Sequence, residues 1–178
     1  MMSDQKESHG EVEEQKENGQ DQVKTLGLEP QESAHQLTTA GLDLSYTARA
    51  GVIPLEDESG ELEAEIFFTA YDLDDEQDQK ERPLTFVFNG GPGSSSIWLH
   101  MGALGPKRVV MEPEGWMPSP PYRLTANEHT WLDRTDLVFI DPVGTGYSRA
   151  AKKDLREKFW SFEGDLDSVG EFIRLYLT

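Results

Sequence analysis

A glycine-rich stretch is the part of the sequence best suited to chemistry. Residues 89–93 read Asn-Gly-Gly-Pro-Gly and follow the apolar run at residues 84–88. Glycine has no Cβ and tolerates unusual backbone angles, so the N–H groups of such a loop can approach a ligand closely. N–H groups placed this way can stabilise the oxyanion of an acyl-transfer reaction. A tight turn that binds nothing has the same composition, and both interpretations stay open. A phosphate cradle is the weaker alternative, because the residues of a P-loop or a dinucleotide fingerprint are missing.

A second candidate is Ser148. Residues 146–150 read Gly-Tyr-Ser-Arg-Ala and resemble the Gly-x-Ser-x-Gly elbow around a nucleophilic serine. Hydrolases with this elbow place the serine, the acid and the histidine in that chain order. All four histidines of this chain precede Ser148: His9, His35, His100 and His129. The order therefore predicts that Ser148 is a structural serine in a turn.

The remaining candidates have ordinary structural explanations. We expect the serines at residues 94–96 to cap the free N–H groups of a helix. His100 and His129 have no partner at metal-ligand spacing, so we expect packed or exposed histidines. Asp141 at the end of a strand could be a site residue, but it precedes a proline and is expected to stabilise a turn. The four tryptophans could line a pocket, but core or surface packing is expected for them: Trp98, Trp116, Trp131 and Trp160.

Alternating apolar residues predict a β-hairpin ahead of the glycine-rich loop. Residues 42–49 and 62–70 alternate apolar and polar side chains, and the polar, glycine-ended stretch at 56–60 suits the connection between them. The runs at 84–88 and 137–140 are almost continuously apolar. Such runs are typical of strands in a parallel sheet that is covered on both faces.

Two helices complete the predicted pattern. A short helix is expected around residues 95–102, ahead of a proline-rich excursion at 113–121. One apolar face at helical spacing is formed by Phe162, Leu166, Val169, Ile173 and Tyr176. The alternation of strands and helices predicts an α/β class, with an amino-terminal hairpin and central parallel strands. No closing signal follows the last helix, so we expect the chain to be cut within a longer domain.

The first 35 residues differ in composition from the rest. They hold nine acidic and three basic residues and scarcely an apolar one, which predicts a disordered acidic tail. Order is expected to begin near Leu42, within a domain at residues 36–178. The formal net charge of -18 comes almost wholly from the first 80 residues. It therefore says little about what a pocket in the later part binds.

Several separate motifs resemble the serine carboxypeptidase family in order and spacing. They are residues 88–96, the Gly-Pro pair at 105–106, Asn127 with the Trp-Leu pair at 131–132, and the run at 136–148. The similarity covers roughly residues 42–178 and leaves the acidic tail unmatched. It implies an incomplete α/β-hydrolase fold, hydrolysis through an acyl-enzyme, a peptide substrate, and neither cofactor nor metal.

The resemblance also implies roles for individual residues. Gly91 takes the place of the glycine whose N–H donates to the oxyanion. Asn89 and Gly90 fall where the family holds the free carboxyl-terminus of its substrate. The catalytic Ser, Asp and His of the family are not matched in this chain. We therefore expect the nucleophile elbow beyond residue 178 and expect the fragment alone to be inactive.

Two positions depart from the family. Ser94 replaces a cysteine that normally forms a disulfide, and Ala103 replaces the glutamate that recognises the substrate carboxyl group. Three functions stay open as a result. The first is a serine carboxypeptidase, the second is an esterase or acyltransferase of the same fold, and the third is a non-catalytic binding remnant.

Composition excludes several further classes of site. The chain has no cysteine, so it has no disulfide framework and no thiol nucleophile. The absence of a marked Lys and Arg cluster argues against a nucleic-acid partner. The sequence has no apolar run of 18 residues, so it predicts no membrane span. The polar start is not a secretory signal, which predicts a cytoplasmic protein if the start is correct; the alternative is a secreted or periplasmic one, as in many relatives. Nothing indicates the oligomeric state.

Overall fold

The computed structural model describes residues 27–39, 41–74, 82–90 and 93–178 and gives a mixed α/β fold. The strands in these residues are β1 Gln31–Thr39, β2 Leu42–Glu56, β3 Leu62–Leu73, β4 Leu84–Val87, β5 Lys107–Val109, β6 Leu124–Ala126, β7 Asp136–Ile140 and β8 Arg149–Ala150. The helical segments are α1 Ile97–Leu99, a π-helical turn at His100–Leu104, α2 Arg156–Phe159 and α3 Phe162–Tyr176. No helix in this described part is long and apolar enough to cross a bilayer.

A six-stranded sheet forms the centre of the fold. Its strand order is β1-β2-β3-β7-β4, and β8 pairs with β3 outside this path. The antiparallel pair β2 and β3 is the predicted hairpin. β4 and β7 are parallel neighbours, with Leu84 opposite Asp136 and Val87 opposite Phe139. The predicted parallel pair is therefore confirmed, and the chain between its strands contains α1, the π-helical turn and the small β5–β6 sheet.

β1 lies partly inside the segment that the sequence predicts to be disordered. The predicted tail ends at residue 35 and the predicted order begins near Leu42, whereas β1 begins at Gln31. Both boundaries are wrong. Only Leu37 of this strand is buried, and the strand is held by backbone pairing with β2 along its whole length. A strand stabilised in this way carries no apolar pattern in its sequence. Residues 1–26 of the predicted tail lie outside the described residues.

Both faces of the sheet are covered, as the continuous apolar runs predict. Successive side chains of a strand alternate between faces. On β7, Val138 and Ile140 belong to the cluster that contains Phe172 of α3. Leu137 and Phe139 belong to the cluster on the opposite face. All four of these β7 side chains are buried, so the strand is enclosed from both sides.

α3 confirms the predicted amphipathic helix, but only part of the predicted apolar face is buried. Val169 packs into the core, whereas Phe162 is 81% exposed and Leu166 is 62% exposed. The reason lies at Gly164, where an added Cβ would be 1.9 Å from the carbonyl oxygen of Lys158. The first turn therefore presses its Gly164 side against the end of α2. Phe162 precedes Gly164 by two residues and Leu166 follows it by two. Each is therefore about 200° around the helix from Gly164, and both side chains face away from this contact.

His100 anchors the π-helical turn to the sheet. Its imidazole is buried and stacks on the ring of Phe139, with centroids 4.4 Å apart. Its Nε2 lies 2.6 Å from the Tyr71 hydroxyl. Burial lowers the pKa of His100 to about 4, although the Asp141 carboxylate opposes the shift. Burial also raises the pKa of Tyr71. The neutral imidazole therefore accepts a hydrogen bond from the protonated Tyr71 hydroxyl.

The lowered pKa of His100 should make stability depend on pH. A histidine in the unfolded chain takes up a proton near pH 6.5, whereas folded His100 takes one up only near pH 4. Its contribution is therefore fully present above pH 6.5 and is lost as the pH falls towards 4, by about 3 kcal/mol at most. Chemical denaturation across this range should give a flatter stability profile for His100→Gln than for the wild type.

His129→Gln is the matched control, because the His129 side chain is 81% exposed. Its profile should follow that of the wild type. The assignment to His100 is contradicted if the two variants flatten the profile equally, or if His100→Gln leaves it unchanged.

Candidate functional site

The loops that follow β4 and β7 meet at one edge of the sheet. Because β4 and β7 are parallel neighbours, their carboxyl ends lie side by side. The loop after β4 contains the predicted site residues Asn89 and Gly90, and the loop after β7 begins at Asp141. Ligands of open α/β sheets bind outside the carboxyl ends of the strands. This edge is therefore the candidate site.

Asn89 and Gly90 are open to a ligand in different ways. The Oδ1 of Asn89 is buried and has no hydrogen-bond partner in the described part of the chain. An unpaired buried amide oxygen costs on the order of 1–3 kcal/mol, which a ligand donor would offset. Gly90 is exposed, and no atom of the described residues lies within 4 Å of a Cβ built on it. The third predicted residue, Gly91, lies outside the described residues.

Asp141 ties the loop after β7 to the loop after β4. Its Oδ1 accepts hydrogen bonds from the backbone N–H of Ser96 at 2.8 Å and from the Ser96 hydroxyl at 2.9 Å. Both residues are buried. The predicted capping role of Ser96 is wrong, because this serine precedes α1 but makes no side-chain capping bond. The carboxylate of Asp141 bonds across to the other loop rather than within its own turn, contrary to the prediction.

Gly146 allows the two loops to pack closely. Its φ of +48° lies in the left-handed region that favours glycine. A Cβ at this position would lie 1.8 Å from Oδ2 of Asp141 and 3.2 Å from Cβ of Ser95. Any larger residue would displace the carboxylate that holds the loop after β4.

Ser148 has the structural role that its place in the chain order predicts. Its side chain is fully buried. The hydroxyl donates to the carbonyl oxygen of Asp141 at 2.6 Å and accepts from the backbone N–H of Phe67 at 2.8 Å. Both bonds are made to the backbone, so the serine joins β3 to the loop after β7.

A second network fixes the turn that contains Ala103. Asn127 is 1% exposed, and its side-chain amide donates to the carbonyl oxygens of Ala103 at 2.7 Å and Gly105 at 2.8 Å. A Cβ on Gly105 would lie 2.4 Å from the carbonyl oxygen of His100, so a larger residue would displace the turn. Ala103 itself is exposed and presents a methyl group where the resemblance implies a carboxyl group.

A cavity of about 370 Å³ lies between the two loops. Its apolar lining comes from Phe67, Ile97, Met101 and Tyr147. The rings of Phe67 and Tyr147 are 5.1 Å apart between centroids. This volume is near the lower end of those that hold small ligands.

The other candidates lie away from this site or are exposed. His129 is exposed, 3.8 Å from Glu128, as one of the two expected alternatives has it. The four tryptophans are all more than half exposed: Trp98, Trp116, Trp131 and Trp160. Within the described ranges, no group of three or more His, Cys, Asp or Glu residues is placed to hold a metal ion.

Two features of the site have no signal in the sequence. Tyr71 pairs with His100 although the two are 29 residues apart. They meet only because the π-helical turn packs on the face of the sheet to which Tyr71 of β3 points. The bond from Ser96 to Asp141 joins residues 45 positions apart. Both pairs become visible only once the strand order is known.

Comparisons with known proteins identify relatives of this chain. A model of the serine carboxypeptidase family matches residues 43–174. Among curated proteins, the pheromone-processing carboxypeptidase KEX1 of Saccharomyces cerevisiae is 38% identical over 110 residues, which are 59% of this chain and 14% of the yeast protein. The serine carboxypeptidase-like protein 31 of Arabidopsis thaliana is 34% identical over 110 residues, covering 60% of this chain and 19% of the plant protein.

A solved structure gives a similar match. The crystal structure of Kex1Δp, a prohormone-processing carboxypeptidase from Saccharomyces cerevisiae, shares 36% identity, covers 56% of this chain and 20% of the yeast chain, and has a TM-score of 0.46. The matched part thus spans a fifth or less of these relatives. Because the family match extends over most of the sequence, the chain belongs to the serine carboxypeptidase family.

Proposed function

We propose that this chain supplies the oxyanion loop and part of the substrate site of a serine carboxypeptidase with an α/β-hydrolase fold. The observation that carries the proposal is the position of the Asn-Gly-Gly-Pro-Gly loop. It follows β4 at the carboxyl edge of the parallel pair, and β4 is the third strand when the count begins with the β2–β3 hairpin. In α/β-hydrolases the loop after the third strand supplies one oxyanion donor.

In this proposal the nucleophile comes from a part of the enzyme outside this chain. A serine hydroxyl attacks the scissile carbonyl carbon while a histidine takes its proton, and the carbonyl oxygen becomes an oxyanion. The N–H of Gly91 donates to that oxyanion. The second donor is the backbone N–H of the residue that follows the nucleophile in the chain. As the oxyanion collapses, the C–N bond breaks, the histidine gives its proton to the leaving amine, and an acyl-enzyme forms. Water then hydrolyses the acyl-enzyme, and the carboxylate product and the free serine are released. The contribution of Asp141 is to hold the loop in place through Ser96 before the substrate arrives.

Asn89 and Gly90 are proposed to hold the free carboxyl-terminus of the substrate. A side-chain amide offers two N–H donors and one acceptor, so Asn89 can donate to a carboxylate. The unpaired buried Oδ1 is an acceptor, so it would take a donor such as the N–H of the substrate's last residue, while the Nδ2 of the same amide would donate to the carboxylate.

Ala103 favours a second candidate function, hydrolysis or transfer of esters. The exposed methyl group leaves the site without a carboxyl group at this position. Selection for a free substrate carboxyl group would then rest on Asn89 and Gly90 alone. Serine chemistry on an ester needs no such selection.

Substrate pairs distinguish these functions. The full-length gene product should hydrolyse an N-blocked dipeptide with a free carboxyl-terminus, should lose most of this activity on the amidated dipeptide, and should be inactivated by a serine-directed phosphonate. Residues 1–178 alone should be inactive. Turnover of esters without peptide hydrolysis would favour the second candidate. A full-length product that turns over neither substrate would reject both and leave a non-catalytic binding protein.

Removal of the Gly91 N–H should slow catalysis. Proline has no N–H, so Gly91→Pro should lower kcat about 100-fold to 1,000-fold, as the loss of one oxyanion donor typically does. Gly91→Ala keeps the N–H and is the matched control. Steady-state kinetics on the better substrate provide the measurement. If the alanine variant loses as much as the proline variant, the effect comes from backbone conformation and not from the donor.

Ala103→Glu should increase the preference for a free carboxyl-terminus. A protonated glutamate can donate a hydrogen bond to a carboxylate, and such a bond is worth about tenfold or more in kcat/KM. The gain should be larger at pH 5 than at pH 7, because an ordinary Glu pKa is about 4.3 and the acid form is scarce at neutral pH. Ala103→Gln is the control, because its amide donates at either pH. Equal ratios of kcat/KM for free and amidated peptides in all three proteins would rule out recognition at this position.

A further inference from the structure

A second cavity, of about 320 Å³, shares Gly146 with the cavity of the candidate site. The residues that give it chemical character are Arg149 of β8, Arg156 of α2, and Trp160 after α2. None of the described residues that line it is acidic. The cavity is therefore cationic with one aromatic wall, although the chain as a whole carries a formal charge of -18.

Arg149 is held in place by the backbone. Its Nη1 donates to the carbonyl oxygens of Gly146 at 2.9 Å and Ser148 at 2.7 Å. Its other N–H groups donate to no described residue. Glu65 is its cross-strand neighbour, but this carboxylate accepts from the N–H of Gly27 and does not line the cavity. The guanidinium is thus pre-oriented with donors to spare.

Arg156 has no hydrogen-bond acceptor and no carboxylate partner for its side chain in the described residues. It belongs to a short basic stretch, residues 149–158, with five basic and two acidic side chains. Two of these, Lys152 and Lys158, form ion pairs with Glu61 and Glu63. Arg156 is therefore available for an external anion.

Trp160 closes the cavity in a way that depends on glycine. Gly144 has a φ of +85°, and a Cβ there would lie 2.6 Å from Nε1 of Trp160. The missing Cβ lets the indole edge reach the turn after β7. The indole N–H has no partner in the described residues, and the ring is 60% exposed. It offers a flat apolar surface together with one more donor.

We propose that this cavity binds a small organic anion, whose carboxylate or phosphate group is held by Arg149 and Arg156 and whose apolar body lies on Trp160. Guanidinium groups match the geometry of both anions and bind them through charge-assisted hydrogen bonds. A cavity of about 320 Å³ is in the range that holds small organic ligands, which favours an anion with a body over a bare ion. This site is separate from the proposed peptide site and does not depend on it.

The probes are benzoate, phenyl phosphate, inorganic phosphate and the neutral analogue benzyl alcohol. They are titrated into the full-length protein labelled with 5-fluorotryptophan, and the fluorine resonance of Trp160 is identified by its loss in Trp160→Phe. Benzoate and phenyl phosphate should shift this resonance saturably, whichever of the two anions binds tighter. Benzyl alcohol should not. Inorganic phosphate should bind more weakly than phenyl phosphate, because it has no body to lie on the indole.

Arg156→Gln should weaken binding of the better aromatic anion about tenfold or more, since a charge-assisted contact is lost. Arg174→Gln is the matched control: Arg174 is 59% exposed on α3 and pairs with Glu171. The dissociation constant of the Arg174→Gln variant for the same anion should equal that of the wild type. Absence of a saturable shift, equal binding of benzyl alcohol, or an unchanged Arg156→Gln would each overturn the proposal.

Discussion

The candidate site depends on one buried carboxylate, that of Asp141. A buried charge is costly unless hydrogen bonds replace its water, and Ser96 supplies two of them from the loop after β4. Hydrogen bonds of the Asp141 backbone fix the position of this carboxylate. The N–H of Asp141 donates to the carbonyl oxygen of Phe67 at 3.1 Å, and its own carbonyl accepts from Ser148. Bonds therefore run from β3 through the end of β7 to Ser96 in the loop after β4. Gly146 keeps the space that this connection needs.

Because of these bonds, few polar groups of the described residues at this edge of the sheet stay free to react. The hydroxyls of Ser96 and Ser148 and the carboxylate of Asp141 are all used in holding backbone or one another. Burial keeps His100 neutral and bonded to Tyr71. What stays unpaired is the amide oxygen of Asn89, on the loop itself. The groups that fix the loop are thus different from the amide that is proposed to bind a ligand, which is what a preorganised site requires.

The sequence predicted the elements whose residues carry their own pattern. The β2–β3 hairpin, the parallel pair and α3 all show apolar periodicity, and this survives because each buries its own side chains. β1 was missed because backbone pairing with β2 stabilises it, and pairing has no sequence period. The exposed Phe162 and Leu166 were misplaced because the contact at Gly164 turned the first helical turn away from the core. The net charge was also a poor guide to the local charge. The formal charge of the whole chain does not reveal the basic stretch at residues 149–158, since a sum does not record position.

The turn around Ala103 is held without any contribution from the side chain at position 103. Asn127 holds this turn through the backbone carbonyls of Ala103 and Gly105, so no side chain at position 103 takes part. Gly105 is constrained by the carbonyl of His100, again through the backbone. The exposed side chain at 103 is therefore free to vary without loss of the turn. The family match follows from the sequence over residues 43–174, whereas the packing of this turn places no demand on the side chain at position 103.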